Sequence, residues 1–376
     1  MPDDAATVSL AGKTIVPGFL DVHGHGPYGA DLIVPQQNWS TLAHLAFGVT
    51  TIHDPSSTAS LVFPAAEYAR AGVILSPRLF STGEIVYGAK RAQFAPVESL
   101  DDALAHVRRL KAQGAISVKN YNQPRRDQRQ QVVEAARLEG LMVVAEGGSL
   151  YHMDMNLVAD GNTGVEHTLP QLAVYDDVVS LWSQTNVGYT PTLGVGYGGI
   201  FGEDYFYDRD DVWKHPILSA LVPPAVLQPR SVRRQKAPAE DYVQDENAAI
   251  GKALADAGVL VNTGGHGQRE GLATHWELEL FVQGGMTPLQ ALRAATLAPA
   301  RYLGLDGDLG SLEAGKLADL VVIDGDVTAD ITVSDQVSHV MLNGRLYEVP
   351  SLHEVATGDA RPRPFYWAGR PESAIR

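Results

Sequence analysis

Short apolar runs alternate with amphipathic helical stretches through most of this chain, and that alternation constrains the fold more than any other feature. It is the pattern of strands laid parallel in one sheet with helices as the crossovers. Eight runs qualify: GFLDVHG (18–24), VTTIHD (49–54), RLFSTG (78–83), AISVKNY (115–121), LMVVAEG (141–147), TGVEHT (163–168), NVGYTPT (186–192) and GVLVNTGG (258–265). Two of the stretches between them carry clear helix signals. In SLDDALAHVRRLKAQG, Ser99 is placed to cap the start, with Asp102 three residues on, and Gly114 to stop the end. RDQRQQVVEAARLEG reads the same way. Eight β/α units over roughly 250 residues predict a TIM barrel rather than an open sheet.

The rhythm breaks between about 193 and 245, where Gly, Tyr, Pro and charge predict a long excursion at the barrel mouth. After Gly304, KLADLVVIDGD and SHVMLNGRLYEV read as strands, with Asn343-Gly344 as a tight hairpin turn. The expected division is therefore an N-terminal strand (1–16), a barrel (17–305), and a C-terminal β-domain with an irregular tail (306–376). The two terminal segments are expected to build one small β-sandwich-like domain. Only 16 residues precede the barrel, which leaves a sheet edge open and predicts a homo-oligomer that covers it.

Composition excludes several partners. With 45% of 376 residues hydrophobic, the chain buries a sizeable core, and its 29 basic against 44 acidic residues give a net charge of −15. That charge argues against nucleic acid and against an anionic membrane surface. No run approaches the ~18–20 apolar residues of a membrane span, and MPDDAATVSL has no basic or apolar signal region, so the chain reads as cytoplasmic as written, with its compartment left open. There are no cysteines, which removes disulfides, thiolate ligands and a Cys nucleophile. A metal would have to sit on His, Asp, Glu or a modified Lys.

The chemistry-bearing residues gather at the ends of the runs. His23 and His25 are two apart, so strand alternation points both to one face, the barrel interior at its C-terminal mouth. Lys119 lies in an apolar run and is costly there unless neutralised or paired. Glu146, His167 and His266 end three further runs. Any one of these could be a satisfied core polar group. Six ionisable residues at five strand ends are hard to explain by packing, and imidazole with carboxylate suits zinc or another first-row divalent metal. His53 and Asp54, at the end of the second run, and His275, on a helix past the eighth, are candidates for holding a ligand imidazole from outside. Tyr121, Arg125, Arg126, Tyr189, Tyr197, Gln268 and Arg269 follow strand ends or sit in mouth loops, where they could clamp a substrate carboxylate or carbonyl.

The run IVPGFLDVHGHG resembles the opening motif of the amidohydrolase superfamily, and EAGKLADLVVIDGD resembles its closing β-domain. PRLFSTGEIVYGA, SVKNYNQPRRDQRQQVVEAARLEGLMVVAEGGSL, YTPTLGVGYGG and GGHGQREGLATHWELELFVQGGMTPLQALRAATLAPARYLG are similar to the imidazolonepropionase-like module found behind TolB-type propellers. The resemblance runs from about Gly12 to Trp367. It implies a distorted TIM barrel with one or two divalent metals. It also implies that His23 and His25 hold the more buried metal, that a carbamylated Lys119 bridges to a second, and that His167 binds the second. Two positions depart from the pattern: Glu146 stands where His is usual, and His266 where an Asp usually binds metal and acts as base. The expected activity is hydrolysis of an amide or related C–N bond in a small molecule or short peptide. His266 is the first choice for proton transfer, because imidazole titrates near neutrality, and Glu146 the second. The alternatives are ester, lactone or phosphotriester hydrolysis and a non-catalytic metal-binding module.

Overall fold

The computed structural model describes residues 7–89, 94–148, 150–196, 200, 202–232, 234–359, 362–365 and 367. Its strands are β1 (Lys13–Pro17), β2 (Phe19–Asp21), β3 (Val49–Asp54), β4 (Arg78–Ser81), β5 (Val86–Tyr87), β6 (Ser117–Tyr121), β7 (Met142–Glu146), β8 (Gly164–Glu166), β9 (Gly188–Thr190), β10 (Leu320–Asp324), β11 (Val337–Leu342), β12 (Arg345–Glu348) and β13 (His353–Glu354). Parallel pairing joins β2, β3 and β4 in one sheet and β5 to β9, in sequence order, in a second. Seven of the eight expected runs thus form strands, and all seven are parallel.

The eighth does not. Of residues 258–265 only Val261 makes a β-bridge, to Tyr189. The segment is still tied on both sides, because Tyr189 N donates to Leu260 O (2.8 Å) and Val22 N to Thr263 O (3.3 Å). Thr263 N, however, turns away to Ala294 O, which ends the ladder toward β2. Gly264 then lets the backbone approach closely: a Cβ there would meet Thr190 Cγ2 at 2.7 Å and His23 Cβ at 2.8 Å. Asp21 fastens the same joint by accepting from His23 N, Gly265 N and Thr274 Oγ1, each at 3.1 Å.

Local chemistry explains the crossovers. The helix Leu100–Gln113 starts where Ser99 accepts from Asp102 N, and it stops at Gly114 with φ of 113°. The helix Arg126–Glu139 stops at Gly140, φ 70°. The helices bury their apolar faces outside the parallel strands, in a core that includes Phe19, Leu42, Phe47, Trp182, Tyr189 and Phe281. The excursion after β9 is helical: Gly202–Arg209, Pro216–Leu221 and Pro224–Val232 are α-helices.

The terminal segments meet as expected in one antiparallel sheet of order β1-β10-β11-β12-β13. Asn343 (φ 52°) and Gly344 (φ 79°) make the hairpin between β11 and β12, both central residues taking the positive φ of a type I′ turn. No helix among the described residues is long and apolar enough to cross a membrane.

Candidate metal centre

β6, β7 and β8 run parallel, so their C-terminal ends face one way, and His23 and His25, just past the end of β2, converge on the residues there. The His23 ring lies 5.1 Å from His25, 4.8 Å from His167 and 5.1 Å from His266, centroid to centroid. Lys119 forms an ion pair with Glu146, and His167 Nε2 lies 3.1 Å from the same carboxylate oxygen. All six residues expected from the strand ends are therefore in one cluster. Two triads within it each bring three ligand atoms within 4.8 Å of one another: His23, His25 and His266, and His23, Glu146 and His167. His167 (φ 74°) and His266 (φ 57°) adopt left-handed backbone, a strained choice for non-glycine residues that recurs at functional sites.

Each imidazole is held from outside through Nδ1. His23 pairs with Glu166 (2.8 Å), His25 with Asp54 (2.7 Å), His167 with Thr192 Oγ1 (2.6 Å) and His266 with Gln268 Oε1 (3.1 Å). A proton held on Nδ1 by such an acceptor leaves the Nε2 lone pairs of His23, His25 and His266 for the common centre, whereas His167 turns Nε2 to Glu146. Two of these ties extend outward. Glu166 also accepts from the Tyr302 hydroxyl (2.9 Å), and Gln268 donates to Glu203 (2.6 Å), which in turn accepts from Arg230 (2.9 Å). The helical excursion thus reaches His266 through Glu203. His23 Nε2 is buried without a hydrogen-bond partner.

Protonation follows from burial and neighbours. Burial pushes His266 down to about 3, helped by His25 and His167, so it is a neutral imidazole rather than one titrating near pH 7. Burial also lowers His23, and it lowers His167 against the pull of Glu146. Burial alone would raise Glu146, but the His167 hydrogen bond and the Lys119 charge hold it at about 2. Burial raises Glu166 to about 8 against the Tyr302 bond and Lys119, so one proton stays within the buried Glu166–His23 pair.

The structure revises the outer residues. Asp54 does hold His25, but His53 bonds Val22 O (3.0 Å) and Ser117 Oγ (2.7 Å) and ties strands together instead of supporting a ligand. His275 bonds Phe47 O and Ser334 Oγ, joining its helix to the 3₁₀ turn before β11. Tyr189 is buried in the core against Trp182, because alternation along β9 turns Gly188 and Thr190 inward. Arg125 and Arg126 point to solvent and pair with Asp127 and Glu98, and with Asp160. Arg269 is buried against Tyr207 and Gln268 holds His266, so neither is free to clamp a substrate. The Tyr121 ring is 5.3 Å from Lys119 Nζ, beside the cluster. Tyr197 lies outside the described residues. Asp21, Glu166, Thr192, Glu203 and Tyr302 were not singled out from sequence. Only Glu166 had a readable signal, since it shares a face with Gly164 at the end of β8.

Parallel strands whose ends gather imidazoles, a lysine and a carboxylate define a class of α/β protein with a candidate metal centre at its strand ends. The Amidohydrolase family model matches residues 14–347, and the chain belongs to that family. Among solved structures it is similar to phenylurea hydrolase B, with a TM-score of 0.72 and 19% identity, covering 99% of this chain and 91% of that one. It is also similar to a Xaa-Pro dipeptidase with methionine bound in its active site, at TM-score 0.70 and 21% identity over 93% and 90% of the two chains. Among curated relatives, N-acetylgalactosamine-6-phosphate deacetylase of Escherichia coli O157:H7 is 55% identical over 40 residues, 11% of each chain. The matched segments span about a quarter or less of these curated relatives' lengths.

Proposed function

We propose that this chain is a metal-dependent hydrolase that cleaves an amide or related C–N bond in a small molecule or short peptide. One observation carries the reading: four imidazoles, each tied outward at Nδ1, turn toward one centre that also holds a carboxylate. The donor set fits a first-row divalent ion, zinc in this reading, because His23 Nε2 is buried and unpartnered, at a cost that a ligand would remove. His23, His25 and His266 would hold an ion, or His23, Glu146 and His167 would, since the one free nitrogen of His23 serves a single ion at a time. Such an ion supplies Lewis acidity toward the scissile carbonyl and lowers the pKa of a nearby water.

The chain's own residues do the rest. His266 is neutral and bonded at Nδ1 to Gln268, so its one free nitrogen, Nε2, serves as a ligand and is not also the proton carrier expected from the sequence. Glu146 is engaged by both Lys119 and His167, which supports a structural and ligand role over that of proton carrier. The ion pair also answers the burial of Lys119, and it supports an ammonium there in place of the carbamate that the resemblance implies. The same reading takes residues 17–305 as a distorted β/α barrel and 1–16 with 306–376 as the β-domain. The dipeptidase, urea-hydrolase and deacetylase names among the relatives agree with C–N cleavage.

A panel of N-acyl amino acids and dipeptides, run beside matched esters, tests the activity. We expect turnover of amides, its loss with a chelator and its return with zinc. Preferred ester turnover would redirect the assignment to an esterase, and no turnover of either panel would leave a binding module.

A further inference from the structure

We propose that Glu203 is a positioning residue of the metal centre: acting through the Gln268 amide, it fixes the His266 proton on Nδ1 and so keeps Nε2 bare for the metal. This rests on the metal-dependent reading above and adds what decides the state of one ligand. The imidazoles are held by unlike groups. His25 meets the Asp54 carboxylate at Nδ1, whereas His266 meets an amide oxygen, Gln268 Oε1, at 3.1 Å. An ionised carboxylate only accepts, so it places the imidazole proton by itself. An amide has one accepting end and one donating end. Whichever end faces Nδ1 decides which ring nitrogen carries the proton.

Glu203 makes that choice. It stands in the first turn of the helix Gly202–Arg209, buried, with both oxygens engaged. Oε2 accepts from Arg230 Nη1 (2.9 Å), and Oε1 accepts from Gln268 Nε2 (2.6 Å). With its nitrogen committed to a carboxylate, the amide has only its oxygen left for His266. That oxygen carries no hydrogen, so the single ring N–H of the neutral imidazole must be on Nδ1. Reversing the amide would set its oxygen against the carboxylate and its NH2 against Nδ1, and the imidazole proton would move to Nε2. Loss of a hydrogen bond to a charged group disfavours that reversal roughly tenfold or more. Burial raises the Glu203 carboxyl, and the Arg230 charge is the largest effect opposing the rise.

The helix that carries Glu203 is itself fastened to the same turn. Tyr207, one helical turn on, accepts from Arg269 Nε (2.9 Å), and Phe206 stacks on Trp276 with ring centroids 4.7 Å apart. At the helix start, a Cβ on Gly202 would meet Leu193 O at 2.3 Å, so only glycine permits this seating. Arg230, from the helix Pro224–Val232, also donates to Gln268 O (3.1 Å). The helical excursion therefore grips residues 268 and 269 at several points, and a ligand two residues away takes its tautomer from that grip.

Zinc calorimetry and nitrogen-15 NMR of the metal-free, histidine-labelled full chain test this. In wild type the His266 ring, assigned by its loss in His266→Gln, is expected as the Nδ1–H tautomer. In Glu203→Gln, Arg230 keeps the oxygen of the new amide, whose NH2 then faces Gln268. Gln268 reverses, His266 moves to the Nε2–H tautomer, and zinc should bind roughly tenfold more weakly. Adding Gln268→Glu restores an acceptor opposite Nδ1 that also takes the new NH2, so the double variant should regain the Nδ1–H tautomer and most of the zinc affinity. A residue that only braced the loop would change the melting temperature without changing the tautomer, and the second substitution would not rescue binding. An Nε2–H tautomer in wild type overturns the proposal by itself. So does an Nδ1–H tautomer kept in folded Glu203→Gln protein, or a double variant that binds zinc no better than Glu203→Gln. If the tautomer follows Glu203 while wild type binds no zinc, the metal reading fails and the tautomer control stands. If zinc binds and the tautomer ignores Glu203, the positioning role fails and the metal centre stands.

Discussion

The two triads of the cluster share His23 and differ in charge. His23, His25 and His266 are imidazoles that burial or outside partners hold ready, and an incoming cation meets lone pairs with nothing to displace. His23, Glu146 and His167 include a carboxylate already satisfied by Lys119, so a cation there must compete with an ammonium. The same strand-end geometry thus yields one half prepared for a ligand and one half neutralised from within. The departures at Glu146 and His266 are what create the contrast: the carboxylate has moved to the lysine's side, and an imidazole has taken its place opposite.

Exchanging those two residues should break the contrast with the largest effect. Glu146→His strands the buried Lys119, at about 3–5 kcal/mol of stability. His266→Asp returns a carboxylate to the cluster but removes an imidazole ligand. The double variant should recover stability and metal content beyond the sum of the single effects, with a coupling of about 0.5–3 kcal/mol. Thermal melts and metal content of the four proteins measure it. Strictly additive losses would mean that the two residues act independently.

Lys119→Met sharpens the contrast with a smaller effect. If Lys119 is an ammonium competing at Glu146, removing it should tighten metal binding at the second triad by roughly tenfold or more. A bridging carbamate requires the opposite, the loss of one metal equivalent. Calorimetry with zinc separates the two.

How much of this was readable in sequence follows from which contacts are local. His23, His25, Lys119, Glu146, His167 and His266 were legible because parallel strands carry their C-terminal residues to one face, so position within a run is enough. Their outer partners were not. Glu203 reaches His266 through Gln268 from a helical excursion about 60 residues away, and Tyr302 reaches Glu166 from beyond the last parallel strand; no periodicity encodes either. Tyr189 was misplaced because both faces of β9 are buried, and only the register of the strand shows which side faces in. The run 258–265 looked like a strand, but its hydrogen bonds pass to Ala294 before a ladder forms. Arg125 and Arg126 drew attention by proximity to Lys119, but they stand at the start of a helix and pair with Glu98, Asp127 and Asp160.

The central claim, that the tethered imidazoles and Glu146 form a metal centre built around His23, is tested most directly by titrating metal-stripped protein with zinc, wild type beside His23→Ala. Saturable binding of one equivalent by wild type, absent from a folded His23→Ala protein, is the expected result. No saturable binding by wild type, or an unchanged stoichiometry without His23, would contradict it.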